Sequence, residues 1–135
     1  MNACICVDKK NGMMFGGRRQ SKDRVQRAEM LSMVGIRRLW VSSYSSSLFN
    51  NCDNVVVDDD FPLKASRDDY CFIEDVTIDV GACDSVIIYN WNRFYPSDTS
   101  FNVDLVSLGF KMVSKRDFVG YSHERITEEI YRKVN

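Results

Sequence analysis

Short apolar runs alternate with one segment of helical spacing through the first half of the chain, and this alternation constrains the fold most. Residues 3–8 (Ala-Cys-Ile-Cys-Val-Asp), 37–42 (Arg-Arg-Leu-Trp-Val-Ser) and 54–58 (Asn-Val-Val-Val-Asp) read as strands. Between the first two, Asp23, Val25, Ala28, Met30, Leu31 and Val34 fit a helix, with Ser21 as its expected N-cap and Gly35 as its stop. Residues 43–49 open like a second, short helix. Strands joined through helices imply crossover connections and a mostly parallel sheet. Further strands are expected at residues 70–73, 85–91 and 110–114. The end of the chain reads two ways. Ile126, Ile130 and Val134 recur at helical spacing, whereas Thr127, Ile130 and Tyr131 also suit a strand.

Composition removes several function classes. No internal repeat or Gly/Ser/Pro linker divides the 135 residues, so one α/β domain spanning 1–135 is expected, and 44% hydrophobic residues give it a core. With 18 Lys+Arg against 19 Asp+Glu, the chain lacks the basic excess of a nucleic-acid binder. Its apolar runs, such as those at 55–57 and 86–89, are far too short for a membrane span. Asp8 interrupts the start too early for a secretory leader, which predicts a cytoplasmic protein.

Five cysteines, an odd number, then read as reduced thiols. Cys4 and Cys6 alternate within the first strand and are expected on one sheet face, as small core residues. There is no Cys-x-x-Cys, and His123 is the single histidine, so no metal site is expected. His123 falls in Gly-Tyr-Ser-His-Glu (residues 120–124), a turn-like setting that predicts a solvated or capping histidine. An imidazole also suits proton transfer, but no partner stands at a known spacing.

Several segments, taken in chain order, resemble the dihydrofolate reductase family. Residues 5–12 (Ile-Cys-Val-Asp-Lys-Lys-Asn-Gly) look like its first strand and the loop entering its active site. Residues 95–101 (Tyr-Pro-Ser-Asp-Thr-Ser-Phe) are similar to its Gly-Asp-Thr-x-Phe segment, which brings Asp98 and Thr99 to a ligand. Residues 109–114 and 126–132 resemble its closing hairpin, which ends in a Tyr-x-Arg pattern. The resemblance implies a twisted, mostly parallel sheet with helices on both faces and a C-terminal antiparallel hairpin. It also turns residues 126–134 from helix to strand. Asp23 corresponds to the family's helix-borne catalytic acid, although a first-turn aspartate also suits the helix dipole.

The departures from the family pattern bear on function. No Gly-Gly pair stands before the Asp-Thr segment, where the family's backbone approaches cofactor phosphates. Arg18-Arg19-Gln20-Ser21 replaces the family's Leu-Pro-Trp, and Asp58-Asp59-Asp60 stands where cations would meet a 2′-phosphate. NADPH is therefore disfavoured as cofactor. Similar short chains also carry the name ribonuclease Z, but paired zinc ions need several His and Asp ligands, which one histidine cannot supply.

An anion site is the remaining expectation. Ser42, Ser43, Ser45 and Ser46 cluster at the start of the short helix, and Gly16-Gly17 carries Arg18 and Arg19 toward the same edge. A plain helix cap and an ordinary surface loop account for the same residues. The expected function is binding of a small phosphorylated or nucleotide-like ligand without reductase activity. Two alternatives stand beside it. One is an NADPH-dependent reductase of a pterin- or flavin-precursor-like substrate. The other is a structural protein that forms a homo-oligomer through the sheet edge or the aromatic residues 91–95.

Overall fold

In the computed structural model, which describes residues 1–134, β1 (Asn2–Val7) lies inside a seven-stranded sheet. Ala3, Ile5 and Val7 enter one apolar cluster, and Cys4 and Cys6 enter the other. Burial on both faces is what a central parallel strand demands, and it explains the unbroken apolar run. The chain continues through β2 (Gly12–Phe15), β3 (Arg18–Arg19), α1 (Arg24–Val34), β4 (Leu39–Val41), β5 (Val55–Val57), β6 (Tyr70–Ile73) and β7 (Ser85–Asn90). It ends with β8 (Thr99–Ser100), β9 (Phe110–Phe118) and β10 (Ile126–Lys133). The large sheet has the order β5-β4-β6-β1-β7-β10-β9. Its first five strands are parallel, and β10 runs antiparallel to both β7 and β9. The expected hairpin is present. Pairing on both sides of β10 outweighs its helical propensity.

Helix α1 covers the Cys4 face through Met30 and Val34. Its N-cap is Asp23 and not Ser21: the Asp23 carboxylate accepts from the N–H groups of Val25 (2.9 Å) and Gln26 (3.2 Å). The Ser21 hydroxyl is diverted to His123. Gly35 ends the helix with φ 62°, as its position predicts. The second helix is a 3₁₀ turn at Ser46–Phe49, and no side chain caps it. The opposite face carries 3₁₀ turns, at Phe61–Leu63 and Val80–Ala82, in place of α-helices. The β-branched run Val76, Thr77, Ile78 weakens a longer helix before the second of these turns.

A three-stranded sheet, β3-β2-β8, was not foreseen. Its hairpin turns on Gly16 and Gly17, both with positive φ (59° and 75°), the backbone that a tight two-residue turn requires. The turn before β2 is held by Asp8, whose carboxylate accepts from the N–H groups of Lys10 and Gly12, each at 2.8 Å. Among the described residues, no helix is long and apolar enough to cross a membrane.

Glu128 of β10 is buried, and Arg116 of β9 holds it with two bonds (2.9 and 3.3 Å) while also reaching Glu29 of α1. Replacing Arg116 with Met strands a buried carboxylate and is expected to cost about 1–3 kcal/mol. The Arg116→Met/Glu128→Leu double variant should recover most of that loss in chemical denaturation.

Candidate functional site

The chain leaves β1 toward α1 on one face of the sheet. It leaves β6 by a connection whose Val76, Ile78 and Val80 pack on the opposite face. Because β1 and β6 are neighbours, their carboxyl ends open a crevice where the connections diverge, the usual ligand position in open α/β sheets. The cavity there measures about 420 Å³. Ile5, Met14, Ile73, Ile78, Phe101 and Val103 give it an apolar lining, and Glu74, Asp75 and Thr99 add polar groups. That volume lies within the roughly 300–1,000 Å³ typical of small-molecule sites.

The serine run meets the crevice with its hydroxyls already committed. Ser45 donates to Glu74 (2.7 Å), and Ser42 donates to Asp75 (2.6 Å). Ser43 donates its N–H and its hydroxyl to Asp59, each at 2.8 Å, and Ser46 bonds the Ser43 carbonyl. Arg19 forms a fork with Glu74 (2.9 and 3.0 Å) and lies over the Tyr44 ring, whereas Arg18 is exposed on β3. Asp98 accepts from the Gly16 N–H at 3.0 Å and from the Thr99 hydroxyl at 3.3 Å. The segment expected to cradle an anion thus faces three carboxylates. Glu74 and Asp75 were missed in the sequence, although they directly follow a parallel strand, where ligands usually meet such a sheet.

Asp23 is only 2% exposed. Besides the two helix N–H groups it accepts from the N–H groups of Tyr121 (3.0 Å) and Ser122 (2.8 Å) and from His123 Nδ1 (2.9 Å). Burial opposes ionisation, but these donors outweigh it and hold the carboxyl far below the usual carboxylate range. His123 is not solvated, as its turn-like setting suggested; it is 3% exposed and stacked on Trp91, with ring centroids 4.4 Å apart. A partner 100 residues away explains the difference, since Asp23 draws the imidazole inward. The cavity lined by Ser21, Gln26, Leu48, Phe72 and Trp91 measures about 10 Å³, the room of one water-sized group. A pterin-sized ring does not fit there. The buried thiols are not poised for attack, since burial pushes Cys71 to about 12 and Cys83 to about 11.

No protein-family model matches the chain, and no curated protein matches its sequence. Its structure is similar to that of a dihydrofolate reductase from Enterococcus faecalis complexed with NADP(H) and RAB-propyl. The TM-score is 0.71 at 12% identity, over 99% of this chain and 96% of that one. The chain therefore has the dihydrofolate reductase-like fold.

Asp23 predicts a specific acid response. Its folded pKa lies below the unfolded value, so its contribution is complete above about pH 5 and fades as pH falls through about 4. Asp23→Asn should cost about 1.5–3 kcal/mol at neutral pH and flatten the loss of stability below pH ~4. Denaturation midpoints measured across that range check both effects.

Proposed function

We propose that this protein is a diverged dihydrofolate reductase-like protein without reductase activity, which binds a small nucleotide-like molecule in the crevice between β1 and β6. The observation that carries the reading is the pairing of an apolar cavity with an acidic rim. A planar ring suits the apolar walls, and its exocyclic donors suit Glu74 and Asp75. A phosphate does not suit that rim. Ser42 and Ser45 already donate to carboxylates, so an entering phosphate gains few hydroxyl donors and meets like charge. At a separation near 4 Å such repulsion costs roughly 1–4 kcal/mol between bulk-water and protein-surface screening. The ligand is thus better described as a nucleoside or base than as a nucleotide. The burial of Asp23 and the small volume of the cavity beside it support a protein without reductase chemistry.

Calorimetric titration with a panel of nucleosides, their monophosphates and NADPH tests this reading. At least one nucleoside should bind, and its monophosphate should bind about tenfold more weakly or worse. Ser100→Trp, at an exposed position of the crevice lining, should abolish that binding without unfolding the chain. A low-micromolar dissociation constant for NADPH restores the reductase reading, and silence from every nucleoside removes the nucleoside class.

A further inference from the structure

We propose that Ser21 is a nucleophile activated by His123 and positioned by Asp23, forming a second site that takes the acyl group of a small carboxylic ester. Ser21 Oγ lies 2.9 Å from His123 Nε2, and His123 Nδ1 lies 2.9 Å from Asp23 Oδ2. This is the relation of nucleophile, base and orienting carboxylate that acyl transfer needs. The tautomer follows from the partners. Ionised Asp23 only accepts, so Nδ1 carries the hydrogen and the Nε2 lone pair faces the Ser21 hydroxyl. Stacking on Trp91 fixes the imidazole plane. His123 and Asp23 are buried, while Ser21 is partly exposed, so the nucleophile alone meets solvent.

Tyr95 completes the arrangement. Its hydroxyl lies 3.1 Å from Nε2 and 3.5 Å from Ser21 Oγ, within reach of an oxygen on a carbon that Oγ attacks. In the first step Oγ bonds to the ester carbonyl carbon, its proton passes to Nε2, and the carbonyl π electrons move onto oxygen, facing Tyr95. Collapse re-forms the C=O and breaks the bond to the alcohol oxygen, which takes the proton from Nε2. Water then attacks the acyl-serine by the same route, releasing the acid and restoring Ser21. The cavity of about 10 Å³ beside Ser21, walled by Leu48, Phe72 and Trp91, has room for one group about the size of the acetyl methyl, which favours the smallest acyl chains.

The test treats the full chain with methanesulfonyl fluoride and locates the adduct by peptide mass mapping. Ser21 should label roughly tenfold or more faster than exposed Ser47 and Ser97, as expected for general-base activation. Ser21→Ala should lose both that adduct and the hydrolysis of p-nitrophenyl acetate. His123→Gln should slow labelling of Ser21 by about 10²–10⁴-fold, and Tyr95→Phe should slow acetyl transfer while leaving the chain folded. Labelling of wild-type Ser21 no faster than Ser47 or Ser97 overturns the proposal. So does equal labelling of Ser21 in a folded His123→Gln variant. The wild-type comparison decides the matter even where the histidine variant fails to fold.

Discussion

One buried carboxylate ties the two ends of this chain together. Asp23 caps α1 through Val25 and Gln26, and it closes the β9–β10 turn through Tyr121, Ser122 and His123. A charge in so dry a position is stable only when donors surround it, and each such bond contributes about 1.5–3 kcal/mol net. The demand shapes its neighbours. A Cβ at Gly120 would lie 2.6 Å from Asp23 Oδ2 and 2.9 Å from the His123 carbonyl, so only glycine lets the turn approach the carboxylate. Helix start, hairpin turn and imidazole orientation all follow from that one group.

The crevice obeys a different electrostatic logic. Its carboxylates are occupied by hydroxyls from the serine run and by Arg19, so the pocket rim arrives already hydrogen-bonded. Serine in place of basic residues keeps the negative sign of the rim, because a hydroxyl shares a hydrogen without supplying a charge. Asp59 extends the same pattern through Ser43. The likeness to dihydrofolate reductase therefore holds for the backbone path, while the side chains at this rim are acidic.

What the sequence made legible was local. Burial on both faces leaves continuous apolar runs, which is why β1, β4, β6 and β7 stand out. The cap of α1 was harder, since Ser21 and Asp23 are both capping residues and their hydroxyl and carboxylate compete for one helix start. The choice depends on His123, which lies 102 residues from Ser21. The acidic rim was hidden for the same reason. Ser45 and Glu74 are 29 residues apart and meet only because β6 inserts between β4 and β1. The small sheet was written in Gly16-Gly17 between paired strands, and a loop reading overlooked the turn type that two glycines favour. Only the family resemblance distinguished strand from helix at β10, because its residues suit both patterns.

Glu74 is where these two logics meet. Its side chain is largely shielded and lines both the large crevice and the small cavity beside Ser21. A carboxylate so placed needs a permanent cation, and Arg19 supplies it from β3, itself docked by an N–H donated to the Tyr44 hydroxyl at 2.8 Å. A neutral ligand leaves this pair intact and uses the rim as an acceptor. A cationic ligand must instead share Glu74 with Arg19, so its attraction to one carboxylate is opposed by the guanidinium beside it. The fork between Arg19 and Glu74 therefore tempers the acidity of the rim, favouring uncharged donors over cations as well as over phosphates.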